Sequence, residues 1–160
     1  MSKIIILVGL MGCGKTTFAE EYAEKFNYNY IDFDLEYHKK IQKYDEEGYS
    51  DHQLTKSDIS EFLSNISELI NNNPSKNYII DGWFKWHINW WKYEEDDSLQ
   101  ALKKVLKFHD IEILHIFLPF KEVYRRYVEK HKKEVQEYYK DTMKERQKNL
   151  NRKIFKWATQ

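Results

Sequence analysis

Cysteine is almost missing from this sequence: Cys13 stands alone among 160 residues. One thiol excludes an intrachain disulfide framework and a cysteine-built zinc site, and it fits a reducing cytoplasm. Proline is nearly as scarce, with Pro74 and Pro119 the two examples. Glycine is limited to five residues, three of them crowded between positions 9 and 14. Long apolar runs are missing too. The only strongly apolar N-terminal stretch is Ile4-Ile5-Ile6-Leu7-Val8. It is too short for a signal-peptide core or a membrane span, and its β-branched content reads as a buried strand. There is no internal repeat and no low-complexity linker. The six histidines are scattered without metal-ligand spacing.

What is present describes one globular domain over residues 1–160. Hydrophobic residues make up 41% and charged residues 32%, enough for a core without disulfides. The formal net charge is zero, but it is unevenly spread. Residues 1–120 carry 13 basic and 20 acidic side chains, whereas residues 121–160 carry 13 basic and 6 acidic. A basic segment on an acidic body points to an anionic partner. A solvated helix richer in Lys than in Glu gives the same count.

Strands and helices alternate. Lys3 to Val8 reads as a strand, Gly9 to Gly14 as a turn and Lys15 to Lys25 as a helix, with Phe18, Tyr22 and Phe26 at fourfold spacing. Tyr28 to Phe33 is a second strand. Thr55 with Asp58 resembles a capping box, and Ile59, Phe62, Leu63, Ile66 and Ile70 mark one helical face that Asn71-Asn72-Asn73-Pro74 stops. Asn77 to Asp81 is a third strand. Leu99, Leu102, Leu106 and His109 predict another amphipathic helix. Glu112 to Leu118 is a fourth strand, closed by Pro119. From Phe120 onward the periodicity is helical, as one helix or two, and Lys153 to Trp157 competes as a fifth strand. The alternation predicts an α/β fold: three layers, with a mostly parallel sheet of four or five strands flanked by helices.

The strongest signal is Gly9-Leu10-Met11-Gly12-Cys13-Gly14-Lys15-Thr16. It matches G-x-x-x-x-G-K-[ST] at every fixed position, between a hydrophobic strand and a helix. Such glycines let backbone N–H groups turn inward around phosphates, and the helix adds the positive end of its dipole. Lys15 would meet the β- and γ-phosphates, Thr16 would offer its hydroxyl to magnesium and Thr17 would reach the α-phosphate. The expected cofactors are ATP and Mg2+. Cys13, near a helix N-terminus, is a redox-sensitive thiol or a small filler residue.

GLMGCGKTT followed by Ile31-Asp32-Phe33-Asp34 resembles the shikimate and gluconate kinase group and the kinase domain of phage polynucleotide kinases. The likeness covers the first forty residues well and the later strands loosely. It implies that Asp34 activates an acceptor hydroxyl and that Asp32 helps hold magnesium through water; both acids could instead cap the next helix. Tyr78-Ile79-Ile80-Asp81-Gly82 resembles a Walker B strand, which implies a magnesium role for Asp81. Asp81-Gly82-Trp83-Phe84-Lys85 is similar to the D-G-F-P-R stretch of adenylate kinases, with Lys85 in the place of the arginine that grips the acceptor. After the fourth strand the kinase group carries an arginine that leads into a lid. Arg126 fits that place best and Arg125 next, as catalytic cations or as surface partners of Glu122 and Glu129. Residues of about 120–160 would then form a basic helical lid and C-terminal segment.

Trp83, Trp86, Trp90 and Trp91 cluster behind Asp81. They are core aromatics or, with Lys85, a stacking site for an acceptor base and phosphate. Neutral overall charge argues against extensive duplex nucleic-acid contact. The expected function is a kinase moving the γ-phosphate of ATP to a hydroxyl of a nucleoside, nucleotide, polynucleotide 5′ end or small polyol. A nucleoside monophosphate kinase, an ATPase switch working through a protein partner and a kinase-type toxin acting on a nucleotide sugar share the same motifs.

Overall fold

A computed structural model describes residues 1–10, 12–35, 39, 42, 56–82, 98–131, 144 and 148. Four strands, β1 (Lys3–Val8), β2 (Asn29–Asp32), β3 (Tyr78–Asp81) and β4 (Asp110–His115), form one parallel sheet in the order β2-β3-β1-β4. The helices are α1 (Lys15–Phe26), α2 (Lys56–Asn71), α3 (Ser98–Val105) and α4 (Phe120–His131). Among the described residues no helix is long and apolar enough to cross a membrane.

The strand order explains where the helices lie. The chain leaves β1 in one direction to reach β2, and travels in the other direction from β2 to β3 and from β3 to β4. Right-handed crossovers therefore put α1 on one face of the sheet and α2 and α3 on the other. Side chains alternate along each strand, so each face collects its own core. Ile5, Leu7 and Ile79 pack beneath α1 with Ala19, Phe18 and Tyr22. Ile4, Ile6, Val8, Phe33 and Ile80 pack against Phe62, Leu63, Ile66 and Ile70 of α2 and against Leu102 and Leu106. Burial on both faces is why β1 reads as a continuous apolar run. A third small cluster joins Leu10 and Cys13 to Val123 of α4. The ammonium of Lys144 lies 5.7 Å from the centre of the Phe120 ring, at the start of α4.

Element boundaries differ from the sequence reading at several ends. The expected strand Tyr28 to Phe33 is shorter, because the Asp32 carboxylate accepts hydrogen bonds from the N–H groups of Asp34 and Leu35, both at 3.0 Å. That caps a helical turn starting at Phe33, which ends the strand. The expected Glu112 to Leu118 strand is shifted toward the N-terminus. Its partner β1 sets its span, pairing Lys3 with Asp110 and Val8 with His115. Helix α1 ends at Asn27, whose left-handed φ of 55° suits asparagine. The tryptophan block and the alternatives at 153–157 lie outside the described residues, as does all of the proposed lid beyond His131 except Lys144 and Lys148.

Candidate functional site

In an open parallel sheet a crevice forms at the carboxyl ends of the strands, where successive connections diverge to opposite faces. Here that point lies between β1 and β3, since the connection from β1 goes to one face and that from β3 to the other. The glycine loop leaves β1 there, and Asp81 ends β3 beside it.

Close packing at Gly9 and backbone conformation at Gly12 and Gly14 account for the glycine pattern. A side-chain carbon on Gly9 would stand 2.6 Å from Cys13 Sγ and 2.7 Å from the carbonyl oxygen of Ile116, closer than a Cβ tolerates. Gly12 and Gly14 have φ of 83° and 94°, a backbone state that costs other residues strain. The Cys13 N–H donates to the Leu10 carbonyl at 3.2 Å, closing the turn, and the Phe18 N–H reaches back to Gly14 at 3.0 Å. Gly14 caps α1 without a side-chain hydrogen bond, and the first turn holds no acidic residue. The amides of that turn thus face the crevice as donors for an anion.

Lys15 is buried and its ammonium donates to the Leu10 carbonyl at 3.2 Å, so it folds over the loop. Thr16 donates its hydroxyl proton to Asp81 Oδ2 at 2.7 Å. Asp81 follows Ile79 by two residues, which sets it on the α1 face of the sheet, and only 3% of it is exposed. Its other oxygen, Oδ1, is shut off from solvent with no hydrogen-bond partner. Burial pushes the Asp81 carboxyl above its ordinary range, against the Thr16 hydrogen bond and the Lys15 charge. The register places Asp32 beside Asp81. Asp34 is half-buried in the turn that follows. Thr17 is exposed on the first turn of α1.

A magnesium ion fits this donor set. Hard oxygen donors gather around the Thr16 hydroxyl, and one oxygen of the buried Asp81 lacks a partner. Among the described residues no group of three acidic, histidine or cysteine side chains forms a protein-only metal cage. This suits a cation held jointly with phosphates and water.

Helix α4 brings two arginines with different surroundings. Arg126 Nη1 lies 3.9 Å from where a Cβ on Gly14 would stand, so its guanidinium borders the loop. Its Nε donates to Glu122 Oε1 at 2.7 Å. Arg125 donates to both oxygens of Glu122, at 3.0 and 2.7 Å, and pairs with Glu129. The sequence offered both arginines, and the fold brings Arg126 to the phosphate loop.

Cys13 is buried against Leu10 and Val123, and burial raises its thiol pKa. That environment matches the filler reading and opposes the redox one. Trp83, Lys85 and Trp86 lie outside the described residues. The sequence reading passed over Tyr30. Its signal was the period of two, which sets Tyr30 on the same face as Asp32.

A parallel α/β sheet with this loop at its switch point defines the P-loop nucleotide-binding class. The AAA domain family matches residues 5–149, and the chain belongs to that family. In structure it is similar to a gluconokinase from Sinorhizobium meliloti 1021, at 16% identity with a TM-score of 0.57, over 89% of this chain and 73% of that one. It is similar to the YorR protein of Bacillus subtilis, solved in complex with phosphorylated GDP, at 16% identity with a TM-score of 0.57, over 97% and 80%. A sugar kinase from Janibacter sp. HTCC2649 is 18% identical with a TM-score of 0.52, over 79% and 66%. These likenesses concern the fold. No curated protein matches the chain.

Proposed function

We propose that the protein is an ATP-dependent kinase that transfers the γ-phosphate to a hydroxyl, first of all that of a nucleoside, nucleotide or polynucleotide 5′ end, with a small polyol as the next class. The observation that carries this reading is the Thr16–Asp81 hydrogen bond at the lip of the phosphate loop, with Asp32 beside it at the end of the adjacent strand. Phosphate-binding amides and carboxylates thus share one crevice. Neighbours of similar fold include a gluconokinase and a sugar kinase, and the YorR structure holds a guanine nucleotide.

In this mechanism the loop amides and Lys15 hold the triphosphate. Magnesium, held by Thr16 with help from Asp81 or Asp32, would supply charge neutralisation on the β- and γ-phosphates. Asp34 accepts the acceptor's hydroxyl proton while that oxygen forms its bond to the γ-phosphorus. The bond from that phosphorus to the bridging oxygen breaks, and the electron pair leaves with ADP. Arg126 and Lys15 neutralise the charge on the moving phosphoryl group.

The test incubates the protein with γ-labelled ATP and a panel of nucleosides, nucleotides, 5′-hydroxyl oligonucleotides and polyols. A labelled hydroxyl product that Asp34→Asn nearly abolishes is the expected result. Transfer to a monophosphate that survives Asp34→Asn would mean a phosphate acceptor instead. Hydrolysis with no labelled acceptor would favour the ATPase switch.

A further inference from the structure

Two buried polar atoms near the Thr16 hydroxyl have no partner. One is Asp81 Oδ1 and the other is the hydroxyl of Tyr30. Tyr30 and Asp32 lie two residues apart on β2 and so share the α1 face, and the register sets Tyr30 beside Ile79 and Asp32 beside Asp81. The Tyr30 ring packs in the apolar layer beneath α1 with Ala19 and Tyr22. Its hydroxyl lies in the combined field of Asp32, Asp81 and Glu20 and feels Thr16 only weakly, without closing a hydrogen bond to it. Thr16 has already given its proton to Asp81 Oδ2.

A phenol oxygen held among carboxylates with no hydrogen bond is costly, and phenylalanine would fill the same apolar space without that cost. The group has one proton to give and lone pairs to receive, which suits a bridge between water and carboxylate. We propose that Tyr30 is a positioning residue for a divalent cation held at Thr16 and Asp81: its hydroxyl receives a hydrogen bond from a cation-bound water and donates to a carboxylate of the cluster. This rests on the kinase reading, because the cation is the one that accompanies the nucleotide. Such outer partners orient the groups that bind a metal directly, and losing one typically weakens metal binding about 10- to 100-fold.

The experiment measures affinity for a non-hydrolysable ATP analogue by calorimetry, once in EDTA and once across a magnesium titration. It uses the parent, Tyr30→Phe and Lys15→Ala. In Tyr30→Phe the EDTA affinity should match the parent, while the magnesium concentration needed for half of the affinity gain rises about tenfold. Its thermal midpoint without ligand should equal or exceed the parent's, since an unpartnered buried hydroxyl is gone. A magnesium titration that superimposes on the parent's would overturn the inference. So would an equal loss of affinity with and without magnesium, which marks a structural role. Parent binding that survives Lys15→Ala undiminished would instead overturn the kinase reading beneath it.

Discussion

At the scale of single residues, Asp81 makes a pH-dependent prediction with a definite sign. Burial raises its folded pKa above the ordinary 3.8. The fold therefore favours the protonated carboxyl, so its contribution to stability is greatest below that ordinary value and is lost as pH rises through the folded pKa. Asp81→Asn keeps an acceptor for Thr16 and removes the buried charge. Urea unfolding should show this variant more stable than the parent at pH 7, with the gap shrinking as pH falls toward 4. A gap that widens in acid would mean that the carboxylate is net stabilised by its neighbours. Gly9 offers a steric counterpart, because an added methyl meets Cys13 Sγ at 2.6 Å and the Ile116 carbonyl at 2.7 Å. Gly9→Ala should cost about 1–3 kcal/mol in denaturant titration. Adding Cys13→Ala should restore part of that, since it relieves the side-chain clash and leaves the backbone one.

Among elements, α4 separates two adjacent arginines. Successive helical residues point about 100° apart, so only one of the pair can face the loop. Arg126→Ala should lower single-turnover phosphoryl transfer about 100-fold or more, with nucleotide affinity in EDTA little changed. Arg125→Ala should have a small effect, because its guanidinium serves Glu122 and Glu129. Equal losses in the two variants would remove the distinction. The two arginines pull the Glu122 carboxyl down to about 2. A depressed folded pKa gives stability that is present above the ordinary carboxylate value and is lost as pH falls toward 2. Glu122 thus stays ionised near neutral pH and should add no step to a pH–rate profile there.

For the whole molecule, the sheet holds the site and the site feeds back on stability. Ile6 is fully buried in the layer against α2 and α3. Ile6→Ala should cost about 2–5 kcal/mol in urea unfolding. Mg-ATP at about 100 times its dissociation constant should add about 2.7 kcal/mol to the parent's stability. Lys15→Ala should erase that gain while leaving the unliganded protein folded. Loss of folding in this variant would show that the Lys15–Leu10 contact matters more to the fold than to the ligand.

The first strand, the phosphate loop and the first helix were legible because their information is local. The loop acts through the backbone of contiguous residues, and a fixed spacing of glycines, Lys15 and Thr16 is enough to declare it. The end of β2 was harder to read, since Phe33 continues an apolar pattern while the Asp32 side chain turns the chain into a helix. Which acid meets Thr16 was decided by tertiary structure. Asp81 lies 65 positions away and arrives only because β3 pairs with β1 and side chains alternate across the sheet. The pairing of β2 with β3 sets Tyr30 beside Ile79, and α4 folding back on the loop sorts Arg126 from Arg125. Backbone conformation at the loop follows from neighbouring residues, whereas a polar cluster drawn from three segments exists only once hydrophobic burial has brought them together.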